Sequence, residues 1–426
     1  MGRQEQTNHL FSNRDLRILL VPLIVEQILN SLMGTADSIM VSNVGSAAIS
    51  AVSLVDSINI LVIQAFYALA AGGTIVCSQY IGQKDKKNAE ESARQLSFVV
   101  ACISSAVMAV CLLTRGPLLR LIFGSVEADV MEAAQIYFFY TALSFPFIAL
   151  YDAGSSIYRA QGNTRLPMTI AVVSNGLNIA GNAVLIWGFH IGVAGAAIAT
   201  VFAQAVSVLF AVVILLKKEL PFSVAREDVR INPQCGKFLG IGLPLALQEF
   251  LTQLSFLALC AFVNRLGLTA SSGYGIASKI VNFAMLIPSA LMQSMASFVA
   301  QNVGAGNQQR AKKSMFTGIG VGLVFGCVVF VLVLLKGDAL AAIFSPDAEV
   351  VQKGFEYLKG FAPETIVTAV LFSMVGYFNG NNQTLWVMIQ GIVQTLLVRL
   401  PLSYCMSVQP DASLTKIGLA APISTV

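Results

Sequence analysis

The chain has 426 residues, of which 56% are hydrophobic and 11% charged, and its mean hydropathy is +0.74. A water-soluble protein of this length has no use for so much apolar side chain, which excludes ordinary soluble enzymes and binding modules and leaves an all-α polytopic membrane protein. The formal net charge of +4 is carried in short loops, so it bears on orientation in a lipid bilayer and not on nucleic-acid binding.

The first residues are polar and lead into no short apolar core with a small-residue cleavage site, so no cleaved signal peptide is expected. Gly2 follows Met1 without the context of a myristoylation signal. With roughly 20 apolar residues per crossing, spans are predicted near 16–42, 47–75, 96–114, 133–158, 167–188 and 191–216. After a charged cytoplasmic connector at 220–237, a second set is predicted near 238–262, 270–300, 314–335, 355–378 and 384–406. A twelfth helix opens at TKIGLAAPISTV and stops, too short to cross, and is expected to be truncated. With the N-terminus inside, 17 Lys and Arg residues fall on the cytoplasmic side and seven on the other, which places the N-terminus in the cytoplasm of a multi-pass protein of the cell membrane. The seven cysteines form no CxxC pair and mostly sit in apolar runs, where buried free thiols are expected rather than disulfides or metal ligands.

The first span carries Glu26, Asn30 and Asp37, at separations of four, seven and eleven residues. Eleven residues make about three turns, so the three polar groups return to nearly one side of an α-helix. A carboxylate at the centre of a bilayer costs on the order of 3 kcal/mol and turns to a polar interior, a partner or a wet cavity. The other charges predicted at membrane depth are Asp56, Asp152, Lys279 and Arg399, and the two basic ones are candidates to neutralise carboxylates across a cavity. Met33, Met285, Met292, Phe283 and Tyr377 are candidates for a soft wall, or for simple packing.

A repeat is visible at a shift of 222 residues. It lays Pro22 on Pro244, Gln27 on Glu249, Val41 on Val263, Gly45 on Gly267, Gln79 on Gln301, Gly82 on Gly304 and Ala89 on Ala311. Later the shift changes, so that Gly162 meets Gly380 and Gly195 meets Gly418. Six helices per repeat give both halves the same orientation, with a pseudo-two-fold axis along the membrane normal. The expected organisation is an N-terminal lobe at 1–219, the connector, and a C-terminal lobe at 238–426. The segments SQYIGQKDKKNAEESARQ and AQNVGAGNQQRAKKS are expected to form short interfacial helices or loops. Pro22, Pro146, Pro244, Pro288 and Pro363 fall inside predicted helices, where each removes a hydrogen bond and permits a kink.

By spacing alone, Asn175, Asn178 and Asn182 share one helical face, and so do Thr200, Gln204 and Ser207. Glu249 sits five residues after Pro244, as Gln27 does after Pro22, and forms a polar patch with Thr252 and Gln253. Glu26, Asn30, Met33, Gln253, Lys279 and Asn282 are candidate cavity or substrate-contacting residues.

Taken together, these motifs resemble the multidrug and toxic compound extrusion (MATE) family. The resemblance rests on Pro22 through Gly45 with D-x-x-M-V inside it, the Q-x-x-G stretches at Gln79 and Gln301, and RAQGNTRLP at 159–167. NGLNIAGNAVLIWG, the following GVAGAAIAT and the C-terminal IGLAAPIS complete it, and the similarity covers almost the whole chain. It implies two six-helix lobes around a central cavity, and export of organic, often cationic, compounds driven by inward flow of protons or sodium ions. It also implies a cation site, for H⁺ or Na⁺, that joins Asp37 to Asn178, Asn182 and Thr200, where some relatives have a second carboxylate at the position of Asn182. In some relatives a seventh-helix carboxylate, here Glu249, binds the coupling cation together with an acid on the tenth helix. The stretch GFAPETIVTAVLFSMVGYFNG of that span offers Glu364 near its start and no acid deeper in.

The expected activity is therefore a secondary antiporter with small-molecule organic substrates, no cofactor beyond the coupling ion, and a monomeric state. A lipid-linked sugar or lipid flippase of the same broad superfamily would instead favour a cationic cavity. An intramembrane enzyme finds no support in His9 and His190, which lie in polar or loop contexts, and neither HExxH nor DDxxD occurs.

Overall fold

The computed structural model describes residues 13–42, 44–124, 127–217 and 233–426. The predicted connector, the first twelve residues and His9 therefore lie almost wholly outside the described residues. The N-terminal half forms α1 (Asn13–Ser42), α2 (Ser46–Gly82), α3 (Lys86–Phe123), α4 (Ala128–Leu143), α5 (Phe145–Ala160), α6 (Arg165–Asn182) and α7 (Val193–Lys217). The C-terminal half forms α8 (Pro233–Asn264), α9 (Leu268–Gly304), α10 (Gln308–Ala342), α11 (Ala348–Phe361), α12 (Glu364–Gly380), α13 (Thr384–Ile392), α14 (Leu400–Val408) and α15 (Leu414–Thr425). Among the described residues, nine helical spans are long and apolar enough to cross a membrane, or ten if α11 and α12 count as one.

Several predicted spans are interrupted. The fourth breaks at Ser144 between α4 and α5, with Pro146 in the first turn of α5, where its missing N–H costs nothing. The tenth breaks at Ala362 and Pro363, and α11 and α12 diverge by 49°. Pro22, Pro244 and Pro288 lie within continuous helices. The fifth and eleventh spans contain π turns, at Ala183–Gly188 and Val393–Arg399.

The predicted interfacial segments are not separate elements. The helices on either side run on and leave tight turns, because each turn supplies a cap. Asp85 accepts from the backbone N–H of Asn88 at 3.1 Å, and Asn307, 222 positions later, accepts from that of Arg310 at 3.1 Å. Lys84 (φ 61°) and Gly306 (φ 74°) hold the same left-handed place. The later part of the repeat needs a correction. The residue with positive φ after α5 is Gly162 (φ 76°), and the one after α12 is Asn382 (φ 61°), so the backbone pairs Gly162 with Asn382 and not with Gly380. The Asn163 N–H bonds to the Tyr158 carbonyl as the Gln383 N–H bonds to that of Phe378, which fixes the same pairing. Asparagine tolerates this conformation better than other residues with a side chain, so the two turns match in shape without matching in letters.

The chain divides into two compact units, at Asn13–Ala246 and Leu247–Val426, so the boundary falls inside α8 rather than before it. The first turns of α8 belong with the N-terminal unit. A Cβ on Gly72 of α2 would lie 2.6 Å from the Gly242 nitrogen, and the Tyr80 hydroxyl donates to Gln234 Oε1 at 2.8 Å. In the C-terminal unit, Val263, Ala277, Tyr357, Leu358, Leu414 and Ile417 centre the core, and the Tyr274 and Tyr357 rings meet edge to face. There α9 and α12 touch backbone to backbone at Gly376 and Gly380, as small residues allow in lipid. All seven cysteines are free. Cys77, Cys111 and Cys235 are buried as expected, but Cys102, Cys327 and Cys405 are exposed on their helices.

Candidate functional site

Helix α1 brings Glu26 and Asp37 to one buried face, 1% and 5% exposed, as a separation of eleven residues requires. Asn30 between them is exposed, and Met33 is buried. The stripe is thus two acids and a methionine rather than three polar groups.

Around Asp37 the amides come from α6 and the hydroxyl from α7. Asn182 Nδ2 donates to Asp37 Oδ1 at 2.5 Å, and the Thr200 hydroxyl lies 3.2 Å from Asp37 Oδ2. Asn178 Nδ2 donates to Thr200 Oγ1 at 3.1 Å, and Asn182 Nδ2 also reaches Asn178 Oδ1 at 3.4 Å. The approach of α6 to α7 is set by small residues: a Cβ on Gly181 would sit 2.9 Å from Ala199 Cβ. Asn175 turns back to its own helix at the Ala171 carbonyl and leaves the site. Gln204 Nε2 reaches Met33 Sδ at 3.9 Å, and the Ser207 hydroxyl bonds to the Ala203 carbonyl.

A second carboxyl, Asp56 of α2, lies close enough to feel the charge of Asp37, and Tyr137 feels both. Asp56 Oδ1 accepts from the Tyr137 hydroxyl at 3.3 Å and from Asn59 Nδ2 at 3.4 Å. Sequence reasoning noted the charge of Asp56 without linking it to Asp37. The available signal was Asp56 and Asn59 one turn apart in an apolar helix.

Among the described residues no lysine or arginine forms an ion pair with Asp37 or with the half-buried Asp56, whereas Glu26 and Glu364 each have one. Glu26 pairs with Arg159 at 2.7 Å, and Glu364 pairs with Arg399 at 3.5 Å. Of the two basic residues proposed as neutralisers, Arg399 therefore acts within its own unit. Lys279 is exposed, 5.8 Å from the Phe344 ring centroid. Buried charge without a basic partner calls for a cation or a proton. Two carboxyl groups with neutral donors, as at Asp37 and Asp56, are chemically suited to take one. The orphaned Asn182 Oδ1, buried and without a hydrogen-bond partner, offers a further oxygen.

Glu249 and Gln253 are half-buried on the part of α8 that belongs to the unit Leu247–Val426. Thr252 bonds to the Gln248 carbonyl at 2.9 Å, and among the described residues no hydrogen bond joins it to Glu249 or Gln253. Asn282 and Phe283 are exposed, Met285 packs against the core of the unit Leu247–Val426, and Tyr377 packs against Met295 and Val299.

The MatE family profile matches residues 22–184 and 244–405, which together make up most of the chain and fall one in each half. The chain belongs to the MATE family. It is similar to an uncharacterized transporter, YisQ, of Bacillus subtilis, 28% identical over 82% of this chain and 76% of the relative. A FAD transporter of Shewanella oneidensis is 25% identical over 74% of this chain and 71% of its own length. A probable multidrug resistance protein, NorM, of Bacillus thuringiensis is 24% identical over 92% and 88%. Among solved structures, an outward-facing multidrug resistance MATE family transporter superposes with a TM-score of 0.90 at 19% identity, covering 97% of this chain and 92% of that one. A MOP superfamily transporter from Pyrococcus furiosus, described as having a binding pocket of reverse polarity, also superposes with a TM-score of 0.90 at 20% identity. This MATE chain is a multi-pass membrane transporter of a family that carries out efflux.

Proposed function

We propose that this chain is a secondary antiporter that exports organic, cationic compounds in exchange for H⁺ or Na⁺, with the coupling ion taken at Asp37, Asn178, Asn182 and Thr200. The observation that carries the reading is the environment of Asp37. It is a buried acid on a membrane helix held by an amide and a hydroxyl, while Glu26 and Glu364 are paired with arginines.

The Thr200 hydroxyl has two acceptors in reach, Asp37 Oδ2 and the Ala196 carbonyl at 3.0 Å. Facing an ionised Asp37 it donates to the carboxylate. Facing a protonated or ion-bound Asp37 it donates to Ala196 and turns a lone pair inward. Loading the ion removes the negative charge that attracts a cationic cargo, so ion and cargo contend for the same charge. Exchange follows when each ligand prefers a different arrangement of the transporter. Glu249, half-buried and without a basic partner among the described residues, is a second acid suited to a cationic cargo or ion.

The test is ethidium efflux from cells expressing the wild type or Asp37→Asn. Export abolished at unchanged expression supports the reading, and wild-type export in the variant overturns it. Collapse of export with a protonophore, or on removal of sodium, identifies the ion.

A further inference from the structure

A second cluster of ionisable groups lies in the unit Asn13–Ala246, away from Asp37. Glu26 Oε1 accepts from Arg159 Nη2 at 2.7 Å and from the Tyr151 hydroxyl at 3.2 Å. Asp152, the residue after Tyr151, is 9% exposed and feels the charges of both Arg159 and Glu26. The Arg159 guanidinium pairs with Glu26, and its charge also reaches Asp152. On each acid one oxygen, Glu26 Oε2 and Asp152 Oδ2, is sealed from solvent and has no hydrogen-bond partner among the described residues. Ionised carboxylates in such a place leave one uncompensated negative charge and two acceptors with no donor, an arrangement that buried groups avoid.

Among the described residues, Arg159 is the positive charge that acts on Asp152. The charges that act on Asp152 and Arg159 come from Glu26 on α1, Tyr67 on α2 and Tyr151 on α5, together with each other. Tyr67 lies under the guanidinium, 5.7 Å from its ring centroid. From α6 the cluster meets the Pro167 carbonyl, which shares the Tyr151 hydroxyl at 3.1 Å. A metal cation asks for several oxygens at once, and those of Tyr151 and Pro167 are already engaged. The missing charge is the size of a proton.

We propose that Asp152 holds one exchangeable proton beside the Glu26–Arg159 pair, a second proton-binding site separate from Asp37. The inference goes beyond the antiport reading and does not depend on which ion Asp37 takes. Because Arg159 balances one acid, removing either carboxyl group leaves the other ionised and paired.

Infrared difference spectroscopy of the full chain in detergent at neutral pH tests this through the C=O stretch of a protonated carboxyl group. The expected result is a band in the wild type that persists in Asp37→Asn and is lost in both Glu26→Gln and Asp152→Asn, with the double variant losing no more than either single one. A wild type with no such band overturns the proposal, as does a band kept in both single variants or lost in Asp37→Asn alone. Should Asp152→Asn fail to fold, Glu26→Gln carries the test by itself. Absence of ethidium export by the wild type would count against the antiport reading and leave the band assignment untouched.

Discussion

Thr200 presents one hydroxyl hydrogen to Asp37 Oδ2, 3.2 Å away on another helix, while a carbonyl of its own helix waits at 3.0 Å. Thr200→Val keeps the shape and removes the donor. A hydrogen bond of this kind contributes about 1 kcal/mol, so the concentration of H⁺ or Na⁺ giving half-maximal export is expected to shift by roughly five-fold. Thr200→Ser is expected to stay near wild type. Titrating export against pH and sodium in the two variants checks both.

Glu364 and Arg399 form a buried pair that Thr425 completes, with its hydroxyl 2.9 Å from Glu364 Oε1. Arg399→Gln strands the carboxylate and is expected to cost about 3–5 kcal/mol, whereas the double variant with Glu364→Gln recovers most of the loss. Thermal unfolding in detergent measures the difference. Equal losses in the single and double variants would mean that the pair is not coupled.

Close helix packing supplies a third test. A Cβ on Gly376 would lie 2.6 Å from the Met292 carbonyl oxygen, while one on Gly275 would meet nothing within 4 Å. Gly376→Ala is expected to destabilise by about 1–3 kcal/mol through overpacking, and Gly275→Ala to be neutral or mildly stabilising. Unfolding midpoints of the two variants should therefore move apart.

The repeated turns make a fourth prediction. Gly162 has φ 76° with open space around it, and its partner Asn382 has φ 61°. Gly162→Asn is expected to be tolerated, and Gly162→Val to cost about 1–2 kcal/mol or more from backbone strain. Unfolding curves would show equal losses for both if some feature other than the left-handed backbone governs the site.

The acids of α1 were legible because eleven residues close three helical turns, and the amides of α6 because Asn178 and Asn182 are one turn apart. Asp56 was not, since a lone acid within a 37-residue helix has no periodicity pointing toward α1. The helix breaks were only half legible. Proline occurs at Ser144–Pro146 and at Pro363, but also in the unbroken α1, α8 and α9, so packing decides where the chain bends. The pairing of Gly162 with Gly380 failed because letters were matched where the backbone matches conformation.

Immediately beyond Asn182 the backbone widens into a π turn, in which the Phe189 N–H bonds to the Val184 carbonyl five residues back. The additional residue rotates everything after it out of step with the amides that precede it. Asn182 is accordingly the last rung of a polar ladder. Past it, Trp187 and Phe189 face outward, 53% and 69% exposed. On α6 the amides that serve Asp37 therefore end at Asn182, and the helix beyond it turns an aromatic face away from them.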